Sequence, residues 1–232
     1  SPPGSTHTKE ESGRSLMWAT PFTLALEALS GLIPRPEVPE CPLTGPVCGQ
    51  KEPEISLEVN GLLKQGFQIL RVDGGVDVES DIWRVKRIQS LAGHSARVRL
   101  DCHGGYSLDD ARRLIKAVNT DALDLLEQPF PGDEWEQPAA FSRWSPVPIM
   151  LHESIWGEGD LEQAARMGCC QFVKCSLGRA CSLEGLIRQI QRAQELGFQV
   201  VVGSDIGCEI QCYYEAMVAA SLGVETEGDM HG

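Results

Sequence analysis

Short apolar runs of strand length recur along this chain at GFQILRVDGG, ARVRLDCHGG, LDLLEQPF, VPIMLHES, QFVKCSLG and FQVVVGSD, each separated from the next by an amphipathic stretch of helical period. That alternation restricts the fold more than any other feature, because strand, helix and strand in succession build a parallel α/β sheet. The stretches SDIWRVKRIQSLAG and SLDDARRLIKAVN carry apolar residues at three- and four-residue spacing, and each opens at a Ser, Ser80 or Ser107, able to cap free N–H groups. Helices are expected to stop at Gly66, Gly168 and Gly197. An early strand near CPLTGPV and a late one near GVETEGD bring the count to about eight, which closes a TIM-type (β/α)8 barrel. An open doubly wound sheet is the alternative. It would place a phosphate-binding Gly-rich loop after its first strand, and the sequence holds neither GxGxxG nor GxxxxGK[ST]. The barrel is the expected fold class.

The 232 residues fit one α/β barrel domain, and a net charge of -13 argues against nucleic acid or an acidic membrane surface as a partner. No apolar run reaches the 18 or so residues of a membrane span, and the N-terminal SPPGSTHTKEESGRS lacks the basic start and apolar core of a secretion signal. A soluble, cytoplasmic protein that binds small molecules is expected. The nine cysteines are odd in number, form no CxxC pair and include Cys169, Cys170 and Cys175 inside apolar runs, which favours buried free thiols. Residues 1–15, rich in Ser, Gly and Pro, read as a flexible lead. The helical stretch FTLALEALSGL then stops at Gly31 before a Pro-rich turn, and the barrel units occupy 40–232.

In a barrel the chemistry sits at the C-terminal ends of the strands. Here those ends carry Arg71 and Asp73, Asp101 and His103, Glu127, His152 and Glu153, Lys174, and Asp205. Each alone could be a capping or surface group. Asp101, Glu127 and His152 end three consecutive strands, however, and could converge on one cation. Carboxylates suit Mg2+, and an added imidazole moves preference toward Mn2+, Zn2+ or Fe2+. Because alternate strand residues face opposite sides, only one of His152 and Glu153 is expected to point into the site. Lys174 fits either a proton-transfer amine tuned by burial or a structural ion pair. The acidic end at Asp205, Glu225, Glu227 and Asp229 fits an amine-bearing substrate or plain solvated surface.

The series LDCHGGYSLDDA, LDLLEQPF, PIMLHES and FVKCSLG resembles the enolase superfamily of the mandelate racemase and muconate-lactonizing type, whose barrels show an Asp-x-Asn strand end, a Glu-Gln-Pro, an Asp-Glu-Ser and a Lys before a Gly-rich turn. The resemblance runs from about residue 20 to the C-terminus and implies a (β/α)8-type barrel with a capping domain. Residues 16–39 then look like the cap's last helix and linker, and the barrel looks incomplete at its C-terminal end. The implied chemistry is removal of a proton alpha to a carboxylate of a small carboxylic acid, giving an enolate held on Mg2+. By motif, Asp101, Glu127 and His152 are the implied metal ligands and Lys174 the implied base or acid. The resemblance leaves homo-oligomers open.

Two departures limit the reaction. Arg71-Val72-Asp73 stands where the family has Lys-x-Lys, and His103 stands where Asn is common. A two-base racemase would need Asp73 to carry a strongly raised pKa, whereas one-base dehydration or cycloisomerisation could run on Lys174, with Asp73 or His103 as acid. Arg71 could hold a substrate carboxylate as a fixed cation. The expectation is therefore a divalent-metal-dependent lyase or isomerase. A non-catalytic homologue that keeps the barrel as a binding or structural module is the alternative. A metal-dependent hydrolase fits less well, since the paired HxH of such barrels is missing.

Overall fold

The computed structural model of the chain describes residues 20–31, 41–204 and 208–230. The elements in order are α1 (Thr20–Ser30), β1 (Gly45–Val47), α2 (Glu52–Gln65), β2 (Ile69–Asp73), α3 (Val78–Ala92), β3 (Arg97–Asp101) and α4 (Leu108–Ala117). After a short 3-10 turn come β4 (Leu123–Glu127), α5 (Glu136–Ser142), β5 (Ile149–Leu151), α6 (Glu158–Met167), β6 (Phe172–Cys175), α7 (Leu177–Ala180), α8 (Leu183–Glu195), β7 (Gln199–Val202) and α9 (Glu209–Ser221). The seven strands lie in sheet order β1 to β7, the same as their order in the chain. The late strand expected near GVETEGD is reduced to isolated bridge residues, Gly228 and Asp229, of which Asp229 bridges Gly203 in parallel. The expected lead over 1–15 lies outside the described residues.

Local signals set the helix ends, with one exception. Ser107 caps α4 as expected, accepting from the Asp110 N–H at 3.2 Å, while the Asp110 carboxylate accepts in return from Ser107. The α3 cap is Asp77 and not Ser80: Asp77 accepts from the N–H groups of Glu79 and Ser80, so Ser80 lies within the first turn. Both residues are good caps, and the apolar contact of Val78 with the core extends the helix to the earlier one. Gly66, Gly168 and Gly197 follow their helices with φ of 91°, 65° and 85°, the left-handed conformation that ends an α-helix.

The chain forms two compact units. The first comprises Leu43–Ser154 and Gln163–Phe172. In it β1 to β5 pair in parallel, each with the next. Leu70, Val98, Leu100, Leu125 and Leu126 are fully buried, as expected of a parallel sheet covered on both faces. Ile55 and Val59 of α2 and Val85 and Ile88 of α3 are equally buried, and each such side chain contributes about 1.5–3 kcal/mol by leaving water. The β3–β4 ladder shifts register between Val98 and Arg99, pairing Val98 with Leu123 and Arg99 with Leu125. Asp124 is the extra residue, and its carboxylate takes the Nε and Nη2 of Arg99 at 3.0 and 2.8 Å and Arg97 at 2.8 Å.

The second unit comprises Ser1–Pro42, Ile155–Glu162 and Val173–Gly232. Here the Glu27 carboxylate of α1 accepts from the N–H groups of Leu183 and Glu184 at the start of α8. Glu215 of α9 is fully buried and accepts from Leu177 N–H, Gln211 Nε2 and the Ser204 hydroxyl, tying the ends of β6 and β7 to that helix. Four of the nine cysteines, Cys102, Cys169, Cys170 and Cys175, are buried as thiols, whereas Cys48 and Cys208 are exposed. Burial pushes the Cys175 thiol up to about 12, which keeps it inert.

Candidate active site

Parallel strands in register bring their C-terminal ends level, and the ladder pairs Asp73 with Asp101 and Asp101 with Glu127. Three carboxylates therefore stand side by side. Glu127 and Asp101 are buried, and Asp73 is exposed. Arg71 lies two residues before Asp73 on the same strand face. Its guanidinium donates to Asp101 Oδ2 at 2.6 Å and lies 3.0 Å from Asp73 Oδ1. His103 follows β3 with φ of 46°, a conformation that turns the chain back at the strand end. Its N–H donates to Asp101 Oδ1 at 3.1 Å. The ring then reaches three carboxylates: Nε2 is 3.2 Å from Asp73, and Nδ1 is 3.3 Å from Asp101 and 3.5 Å from Glu153.

The β5 end overturns the expectation that one of His152 and Glu153 lies outside the site. The strand stops at Leu151, so alternation no longer governs the next two residues. His152 Nδ1 is 3.4 Å from Glu127 Oε1, and Glu153 Oε2 is 3.7 Å from the same nitrogen. The turn is held by Gln128, the middle residue of Glu-Gln-Pro. Its Oε1 accepts from His152 N–H at 2.9 Å and Ser154 N–H at 3.2 Å, and its Nε2 donates to Phe130 O and Ser154 Oγ, both at 2.8 Å. Gln128 has φ of 36° and is buried. Sequence reasoning noted the motif and gave this residue no role. The signal was an amide beside a ligand-type carboxylate just before a proline.

Electrostatics follow from this geometry. Burial, and then repulsion from Glu127, pushes Asp101 up to about 7 against the pull of Arg71 and His103. Hydrogen bonds that its ring donates to Asp73 and then Glu153 hold His103 up at about 10 against its partial burial, which makes it a cation near neutral pH. Burial raises Glu153, but bonding to His103 and the field of His152 outweigh it and leave its carboxyl below the ordinary value. Asp73 and Asp101 thus lie beside both Arg71 and His103, and Glu153 lies beside His103.

Asp101 stands beside Glu127 in the ladder, and His152 Nδ1 lies 3.4 Å from Glu127 Oε1. Among the described residues, however, the trio whose ligand atoms all lie within 4.8 Å of one another is Asp73, Asp101 and His103. It arises because the ladder sets Asp73 beside Asp101 and the turn at His103 swings the ring over both. Arg71 and His103 already supply positive charge on that side. On the other side the buried Asp101 and Glu127 carboxylates repel each other and His152 adds a nitrogen 3.4 Å from Glu127, donor types that a divalent cation accepts. Lys174 belongs to the second compact unit. It is 2% exposed there and pairs with Asp229, also 2% exposed, at 2.7 Å. Asp229 is thus neither solvated surface nor open to an amine from outside. Asp205 lies outside the described residues, and no described helix is long and apolar enough to cross a membrane.

Comparison with known proteins agrees with this architecture. The L-Ala-D/L-Glu epimerase of Bacillus subtilis is 26% identical over 171 residues, which is 72% of this chain and 47% of the epimerase. The muconate lactonizing enzyme from Pseudomonas putida superposes with a TM-score of 0.76 at 21% identity, covering 82% of this chain and 53% of that one. A dipeptide epimerase from Enterococcus faecalis, complexed with Mg and the dipeptide L-Leu-L-Tyr, gives 0.75 at 24% identity over 81% of this chain and 54% of its own. The chain spans about half the length of the curated relatives it matches. The fold class is α/β of the TIM-barrel type. Residues 54–231 match the enolase C-terminal domain-like family, and the chain belongs to that family.

Proposed function

We propose that this chain supplies the acid–base and cation-binding half of a divalent-metal-dependent isomerase or lyase acting on a small carboxylic acid, by removal of the proton alpha to its carboxylate. The observation that carries the reading is the pairing of buried Asp101 and Glu127 across β3 and β4, with His152 at 3.4 Å from Glu127. Asp101, Glu127 and His152 would hold the cation, with Glu153 beside them. When bound it supplies positive charge opposite the substrate carboxylate, where negative charge develops. The relatives named as epimerases and a muconate lactonizing enzyme favour the isomerase class, and the relative complexed with Mg favours that ion. Because His152 is a nitrogen donor, Mn2+ is a second candidate.

The chain's own residues divide the remaining work. Arg71 keeps its charge at any working pH and balances Asp101 and Asp73. Asp73, bonded to Arg71 and His103, replaces the family's second lysine as an ion-pair acceptor, which favours one-base isomerisation or elimination over two-base racemisation. Lys174 is the group that exchanges the alpha proton.

The experiment is solvent-deuterium exchange at the alpha carbon of N-acylamino acids, dipeptides and sugar acids, in the full-length protein with metal present. Exchange that falls about 100- to 10,000-fold in Lys174→Ala supports the assignment, and exchange that persists there sinks it. The Arg71 guanidinium on Asp101 favours a second reading, a non-catalytic homologue. Wild type with no exchange and no stoichiometric metal would establish that one instead.

A further inference from the structure

We propose that Asp229 is a positioning residue for Lys174, aiming its ammonium group at the end of β6. The proposal rests on reading Lys174 as the proton-transfer group. Both side chains are 2% exposed, and Lys174 Nζ lies 2.7 Å from Asp229 Oδ2. A buried ammonium alone sheds its proton, and a carboxylate at contact distance opposes that. Nothing in local sequence requires the pair, since the partners are 55 residues apart.

The surroundings hold Asp229 in place for this task. Its backbone N–H donates to Val202 O at 3.1 Å, and its carbonyl accepts from Ser204 N–H at 2.9 Å. These bonds lock the segment beside β7 as a parallel bridge with Gly203. Gly203 is the residue that admits the contact. A Cβ there would lie 2.7 Å from Lys174 Cε and 2.8 Å from Asp229 O, closer than real Cβ contacts allow. Glu215 lies one step removed from the pair, through Ser204, whose N–H donates to Asp229 O and whose hydroxyl donates to Glu215. Glu215 accepts from Leu177 N–H, Gln211 and Ser204, and Asp229 holds its carboxylate at contact distance from the Lys174 ammonium.

Held beside Asp229, Lys174 keeps its proton to higher pH, and it takes the alpha proton as a base only in the fraction that has released its own proton to solvent. An Asp229 that serves only to stabilise the fold would leave the reaction's pH dependence alone. The test uses the full-length protein labelled with 15N-lysine, with the Lys174 Nζ signal identified by its loss in Lys174→Arg. In Asp229→Asn the Nζ titration should move down by about one pH unit or more, and the pH profile of alpha-proton exchange should move with it. Asp229→Glu should restore most of both. An unmoved Nζ titration overturns the proposal, and so does a moved titration with an unmoved pH profile. If Asp229→Asn does not fold, Gly203→Ala forces the pair apart and is read in the same way. Absence of exchange in wild type would defeat the functional reading and would be recognised separately, because the Nζ titration needs no substrate.

Discussion

Arg71 donates to the buried carboxylate of Asp101 at 2.6 Å, so the site brings its own fixed cation to a position where a metal would also find a ligand. A divalent cation bound to Asp101 would be repelled by that guanidinium. Replacing Arg71 with Met should raise the affinity for Mg2+ or Mn2+ by about tenfold, a modest value for like charges this close. The metal-free protein should lose stability, because Asp101 then stays buried without that partner. Isothermal titration and thermal melts on one preparation check both. Lower metal affinity in the variant would mean that Arg71 organises the ligands instead of competing with the metal.

The raised pKa of Asp101 predicts how the metal-free protein responds to pH. A carboxyl that binds its proton more tightly folded than unfolded contributes stability below the ordinary value of about 4, and that contribution is lost as pH rises through about 7. In chelator-treated protein the melting temperature should fall across this window, and Asp101→Asn should flatten the fall. Metal binding below pH 7 should release a proton, seen as a dependence of binding heat on buffer ionisation enthalpy. A window that is equally steep in Asp101→Asn would assign the effect to other groups.

Gln128 makes four hydrogen bonds that position the turn carrying His152 and Glu153. Gln128→Leu should cost about 2–4 kcal/mol, since buried N–H groups lose their acceptor, and metal affinity should drop with it. Gln128→Glu can still accept from both N–H groups but cannot donate to Phe130 O or Ser154 Oγ. It should be intermediate in urea denaturation.

The loops after β2 and β3 cross at two glycines. A Cβ on Gly75, at φ 92°, would lie 1.9 Å from Cys102 O, and one on Gly105 would lie 2.0 Å from Gly75 O. Both contacts are with backbone, which cannot swing aside. Gly75→Ala should destabilise by about 3 kcal/mol or more, through both the positive φ and the overlap. A denaturation midpoint close to wild type would show that the loop has room to move.

The alternation of strand and helix, the cap at Ser107 and the stops at Gly66, Gly168 and Gly197 were legible in the sequence because each depends on neighbours within a turn or two of chain. The level ends of β3 and β4 at Asp101 and Glu127 were legible for a related reason, since parallel strands of similar length end level. Sequence alone could not choose Asp77 over Ser80, place Asp124 in a bulge, or bring His152 to Glu127 and Glu153 to His103. Nor could it show that Lys174 spends its charge on Asp229, 55 residues away. Those outcomes depend on ladder register and on contacts made when distant segments meet, and only the folded arrangement, with its shared burial and backbone hydrogen bonds, decides which side chains face one another.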